Sequence, residues 1–184
     1  ELGDTKTRLD RYEPHMNLLV NGDPRDTTTP AAMSQTIRTM LTSAWLAPAS
    51  TDLLISWMIA TETGRKRLRA GFPAAWRAGD KTGTGMARGM KDKYNDIAIA
   101  WPNTAPNREP FIVSTFYETG VAHGKMRDQD QAVLASVGRI IATLDADGQN
   151  PPSNLPRLLA PFLAPDADPG LGIVQGQRLK RQDT

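Results

Sequence analysis

Two short stretches hold side chains whose types and spacing could do chemistry. In GDKTGTG, Gly79 to Gly85, a lysine and two threonines lie among glycines. Glycine lets a ligand approach the backbone, while Lys81 and Thr82 supply a cation and a hydroxyl for an anion. The order is not G-x-x-x-x-G-K-[ST], so this is no phosphate-binding P-loop. Taken alone, a glycine-rich turn with a chance Lys-Thr pair is the competing reading. In RLDRYEPHMN, residues 8–17, Glu13 stands among arginines and aspartates, and Arg25-Asp26 closes the same irregular segment. Arg11 with Asp26 and Asp10 with Arg25 would tie the two ends of a compact Ω-type loop and hold Glu13 rigidly. The competing reading is a set of solvated charges on a flexible surface loop.

The remaining composition removes several kinds of chemistry. No cysteine occurs, so the chain offers no disulfide, thiolate nucleophile or sulfur ligand. His15 and His123 are the two histidines and lie far apart, which makes a His-rich metal site improbable; neither metal nor cofactor is expected. The 22 basic residues are offset by 20 acidic ones without a long basic run, so no nucleic-acid partner is implied. No apolar run approaches the roughly 20 residues needed to cross a bilayer, so no membrane span is expected. With 184 residues and 39% hydrophobic content the chain can build one sizeable core. It opens at Glu1 directly into dense polar sequence, which raises the expectation of a longer parent chain.

These residues need elements to position them. Leu2 to Pro30 reads as irregular, with prolines at 14, 24 and 30, and a long irregular stretch in a compact protein usually has a function. Pro30 to Leu41 reads as a helix capped by Thr29, with Met33, Ile37, Met40 and Leu41 on its apolar face. A second helix is predicted over residues 49–61, burying Leu53, Leu54, Trp57 and Met58, and Gly64 is expected to end it. Three strands follow, about Trp76 to Met86, Tyr94 to Trp101 and Phe111 to Tyr117, whose short connections favour an antiparallel meander with the lysine motif on an edge strand. A last helix, about Arg127 to Leu144, would cover one face. The fold class is therefore α+β, an antiparallel sheet covered by helices. Three regions result: 1–63, with the loop and part of a helical subdomain; 64–145, an α/β subdomain with the lysine-bearing strand and last helix; and 146–184. Six of the fourteen prolines fall between 151 and 169, so residues 146–184 read as a disordered tail.

GDTKTRLDRYEPHMN, RDTTTPAAM, WMIATETG, LRAGFPAAW, GDKTGTG and NDIAIAWP, taken in this order, resemble the class A serine β-lactamases, from about Leu2 to Leu144. The resemblance implies a β-lactamase/transpeptidase-like fold and hydrolysis of β-lactams by serine acylation and Glu-assisted deacylation. Glu13 would match the glutamate that activates the hydrolytic water, and Asn17 the asparagine that holds that water. Pro14 would follow a cis bond. Lys81 and Thr82 would attract the substrate carboxylate, with Gly83 beside them. Thr84 would lie where the strand donates a backbone N–H to the oxyanion hole. Arg67 would match a guanidinium that supports carboxylate binding in some members, against the alternative of a solvated helix-end arginine. Asp80 would belong to the structural shell.

Departures accompany the match. His15 and Met16 replace more usual residues in the glutamate loop, and Thr61 stands where asparagine is frequent. None of the serines at 34, 43, 50, 56, 114, 136 or 153 is followed three residues later by lysine, and SDN does not occur. The resemblance therefore implies a C-terminal portion, truncated before the nucleophile, inactive alone and with apolar faces near Ile37, Leu54 and Trp57 left open to water. The alternatives are a non-catalytic remnant and a penicillin-binding transpeptidase or carboxypeptidase relative; Glu13 with Asn17 argues against the second. By resemblance the partner is a small β-lactam, the full-length form is a monomer, and the location is periplasmic or secreted.

Overall fold

The computed structural model describes residues 2–17, 20, 22–102 and 110–145. The expectations for the 102–110 connection and for the 146–184 tail fall mainly or wholly outside them. After an irregular segment with one 3-10 turn, His15–Asn17, come α1 (Pro30–Thr42), α2 (Pro48–Ala60) and the single turn α3 (Leu68–Gly71). The strands β1 (Arg77–Gly85), β2 (Lys93–Trp101) and β3 (Phe111–Glu118) precede α4 (Asp128–Asp145). The strands form an antiparallel sheet in the order β1-β2-β3. This is the meander that the short connections predict, and it leaves β1 on an edge.

The local chemistry accounts for the elements. Thr29 caps α1 by accepting the Ala32 N–H at 3.1 Å, and Pro30 occupies the first helical position, where its missing N–H costs nothing. Gly89 turns the β1–β2 hairpin at φ 77°, a conformation that side chains other than glycine adopt with strain. Alternation along the strands then divides the sheet into two apolar faces. One face, with Ala98, Ala100 and Val113, packs against Leu68, Phe72, Trp76, Val137 and Ala142 from the α3 region and α4. The other places Ile99 and Ile112 under Leu41 of α1 and Met58 of α2. Burying Leu68 completely contributes about 1.5–3 kcal/mol.

Gly79 allows α2 to lie directly on β1. A Cβ there would stand 2.7 Å from the Ile59 nitrogen and from the Met58 carbonyl carbon. That contact selects the buried face of α2 and corrects the expected one. Met58 is buried and Leu54 partly so, whereas Leu53 and Trp57 are exposed, Trp57 at 62%. Six of the seven residues from Leu53 to Ile59 are apolar, so periodicity could not choose a side. Gly64 is also reassigned. The helix stops at Ala60, and Gly64 is buried against the Asp80 carboxylate. The four-residue α3 was too short to leave a periodic signal.

Candidate active site

The loop that carries Glu13 is closed by aspartates acting on backbone. Asp26 accepts the N–H groups of Asp10 (2.6 Å) and Arg11 (3.0 Å) and pairs with Arg11 Nε at 2.5 Å. In return the Asp26 N–H donates to Asp10 Oδ2 at 3.0 Å, and Arg8 N–H donates to the Thr27 carbonyl at 2.9 Å. Asp26 adopts φ 55° to make these contacts, a conformation that aspartate tolerates better than most residues. The Arg11–Asp26 pair is the expected one. The Asp10–Arg25 pair is not formed: Asp10 pairs with Arg8 at 2.7 Å, and Arg25 pairs with Asp23 at 2.8 Å. Each prefers a partner two residues away that the chain already holds close, so no loop entropy opposes the contact. The Arg11 guanidinium, with the two backbone donors, holds the Asp26 carboxyl below the usual carboxylate range, and Arg25 lowers Asp23 to about 2. A further tie runs from Asp4 to the Thr36 hydroxyl of α1 at 2.9 Å.

Within this frame the Glu13–Pro14 bond is cis, and His15–Asn17 makes one 3-10 turn. The turn brings Asn17 back over Glu13, and Asn17 Nδ2 donates to Glu13 Oε2 at 2.5 Å. Both side chains are exposed. The pair offers one carboxylate oxygen fixed by an amide and the other open to a water molecule.

The second group lies on β1. Lys81 is exposed and its Nζ donates to the Thr82 carbonyl at 2.8 Å, while the Thr82 and Thr63 hydroxyls are 2.8 Å apart. Arg67 is only 1% exposed, so it is not the solvated arginine that spacing allows. Its NH1 donates to the carbonyls of Gly83 (2.9 Å) and Asn95 (2.7 Å), its NH2 donates to Thr84 Oγ1 at 2.6 Å, and the guanidinium lies 5.4 Å from the Tyr94 ring centre. Burial lowers its pKa from the ordinary arginine value. Arg67 thus holds the end of the strand from beneath, and the hydroxyl of the exposed Thr84 is the part of that network nearest solvent.

Strand alternation puts Gly79, Lys81 and Gly83 on the α1/α2 face and Asp80, Thr82 and Thr84 on the α3/α4 face. The loop lies over the first of these faces. Arg11, Arg25, Thr27 and Thr28 enclose a cavity of about 450 Å³ with Lys93, Asn95 and Phe116. Asn95 is the register partner of Gly83, and Lys93 that of Gly85. The glutamate loop therefore sits beside the strand end that follows Lys81, although neither Glu13 nor Lys81 lines this cavity. Sequence reasoning passed over Thr63, Asn95 and Asp96, whose roles come from pairing across strands and turns. Asn95 and Asp96 open the quoted NDIAIAWP stretch, the one signal that could have marked them. Among the described residues no group of three or more His, Asp or Glu side chains could hold a metal ion, and no helix is long and apolar enough to cross a membrane.

Residues 1–144 match the model of the β-lactamase enzyme family. The chain is 41% identical over 139 residues to β-lactamase L2 of Stenotrophomonas maltophilia, covering 76% of this chain and 43% of that protein. It is 39% identical over 140 residues to β-lactamase CTX-M-6 of Salmonella typhimurium, covering 76% and 45%. Among solved structures, an ancestral class A β-lactamase superposes with TM-score 0.64 at 51% identity, covering 77% of this chain and 51% of that one. A variant of the last common ancestor of Gram-negative class A β-lactamases gives TM-score 0.68 at 47% identity, covering 80% and 52%. The chain thus spans a little under half the length of the curated relatives that it matches. With the family model running from the clamped glutamate loop to the last helix, the chain belongs to the class A β-lactamases.

Proposed function

We propose that this chain supplies the deacylation and substrate-carboxylate walls of a β-lactam-hydrolysing enzyme, and that the nucleophilic serine comes from sequence outside residues 1–184. The observation that carries the reading is the Asn17–Glu13 hydrogen bond at 2.5 Å on a loop closed by Asp26, beside the strand that presents Lys81. Glu13 takes a proton from a water that Asn17 helps to hold, and that water attacks the ester carbonyl of the acyl-enzyme. The acyl–serine bond then breaks and the serine oxygen regains a proton. Lys81 attracts the carboxylate of the opened lactam electrostatically, and the hydroxyls of Thr82 and Thr84 orient it. The backbone N–H of Thr84, on an edge strand, stabilises the negative charge that develops on the carbonyl oxygen. Arg67 acts one step removed by holding the Thr84 hydroxyl. We place the mature protein outside the cytoplasm, where such substrates are met.

The test uses the protein at its natural full length. Glu13→Ala should accumulate a penicilloyl adduct by intact-mass spectrometry while turnover falls about 10²–10⁴-fold, the usual contribution of a positioned base. Turnover at the unmodified rate removes Glu13 as the base. Absence of both adduct and turnover in the unsubstituted protein marks a non-catalytic relative.

A further inference from the structure

Asp80 and Asp96 are both fully buried, on neighbouring strands and on the same face of the sheet. Asp80 is paired in register with Ala98 and Asp96 with Thr82, so their side chains meet diagonally. The surrounding donors do not satisfy two ionised carboxylates. The Leu68 N–H reaches Asp96 Oδ2 at 3.0 Å, and Asp96 Oδ1 and both Asp80 oxygens lack a hydrogen-bond donor. Arg69 Nε lies 2.5 Å from Asp80 Oδ1 as a charge contact, but its terminal nitrogens donate to the Ile59 and Thr61 carbonyls. The Arg67 terminal nitrogens donate to Gly83, Asn95 and Thr84, and its Nε makes no hydrogen bond to either carboxylate. Backbone fills the space around the pair: a Cβ on Gly64 would lie 1.3 Å from Asp80 Oδ2. An orphaned buried acceptor costs about 1–3 kcal/mol, more when charged, and two adjacent ones with neither donor nor cation, Asp80 Oδ2 and Asp96 Oδ1, call for an explanation.

We infer that Asp96 carries a proton in the folded protein and donates it to Asp80, and that this carboxyl–carboxylate bond fixes β1 beneath the Lys81-Thr82 motif. One proton supplies the missing donor and removes the like-charge repulsion. Asp80 is the ionised member because Arg69 touches it, whereas among the described residues no ion pair to Asp96 is formed and Arg67 acts on it only through its charge. The other charged or titratable groups facing the pair are Arg67 from the α3 side, Lys81 on β1 and Tyr94 on β2. Burial, then the charge of Asp80, pushes the Asp96 carboxyl up to about 8. Asp80 adjoins Lys81 and Asp96 lies opposite Thr82, so Asp80 and Asp96 are positioning residues that act through the strand.

The inference uses the proposed function only for what the strand presents; the proton is detected without substrate, so either can fail alone. In the natural full-length protein, infrared difference spectroscopy should show a protonated-carboxyl band at about pH 7, where ordinary carboxylates are ionised. The band should vanish as pH rises through about 8. Asp96→Asn should abolish it yet keep the fold, because the amide donates to Asp80 in place of the hydroxyl; Asp96→Leu should lose both. Linkage gives a second readout. The folded value lies above the ordinary 3.8, so between 3.8 and about 8 the native state binds more protons than the unfolded state. Stability from the pair is full below 3.8, declines as pH rises and is gone above about 8, and Asp96→Asn should flatten that decline. A spectrum with no protonated carboxyl at about pH 7 overturns the proposal, as does a band unchanged in Asp96→Asn.

Discussion

Replacing Arg67 by alanine tests whether the strand end is held from beneath. The guanidinium donates to two backbone carbonyls and one hydroxyl at 2.6–2.9 Å and lies under the Tyr94 ring. Truncation leaves the Gly83 and Asn95 carbonyls without that donor and opens a void the size of an arginine side chain. Hydrogen bonds to charged groups contribute about 1.5–3 kcal/mol each, offset here by the cost of desolvating a guanidinium whose Nε has no partner. A net loss of about 3–5 kcal/mol is expected, the range for removing one side of a buried charged network. Because the Tm shift per kcal/mol shrinks as a protein grows, this loss should lower the Tm of the full-length protein by several degrees. Arg67→Met separates packing from hydrogen bonding, since methionine fills the void without donating. Thermal and urea unfolding of the full-length protein should place Arg67→Met close to the alanine variant. Arg67→Lys should recover less than half of the loss, because an ammonium cannot span both carbonyls. An alanine variant within about 1 kcal/mol of the parent, or a methionine variant as stable as the parent, refutes the reasoning.

Two other consequences are accessible to simple assays. Gly79→Ala drives a Cβ to 2.7 Å from α2 backbone two residues before Lys81, so overpacking should cost about 1–3 kcal/mol by urea unfolding and raise KM for a β-lactam; an unchanged unfolding midpoint contradicts the close contact. The carboxylates that close the loop have lowered pKa values, so their contribution is present above the ordinary value of 3.8 and is lost as pH falls below it. Hydrogen-exchange protection of the Asp10 and Arg11 amides should therefore drop on acidification before that of β2, and equal loss in both places counts against a clamp made by Asp26.

Local rules were enough for much of this molecule. Thr29-Pro30 marks a helix start by itself, and alternation with short connections defines a three-stranded meander. Arg11 and Asp26 were identifiable because complementary charges flank one irregular segment. What could not be read depended on distant packing. The buried side of α2 is set by Gly79 approaching Met58 and Ile59, not by any pattern within the helix. Arg67 looks like a helix-end cation until β1 and β2 place three acceptors around it. Arg25 chose Asp23 over Asp10 because proximity along the chain outweighs charge complementarity across a loop. The motifs named the groups at the candidate site; the strands that hold them in place were visible only as a sheet.

The central claim is that the Glu13 loop and the Lys81 strand wall one cleft. It is tested most directly by the crystal structure of the full-length Glu13→Ala protein trapped with a penicillin. The account predicts the carboxylate of the opened lactam within hydrogen-bond distance of Lys81 Nζ and the Thr82 or Thr84 hydroxyl, with its ester carbonyl turned toward position 13 and Asn17. A penicilloyl group whose carboxylate is bound away from Lys81, or whose ester is walled off from position 13, contradicts it.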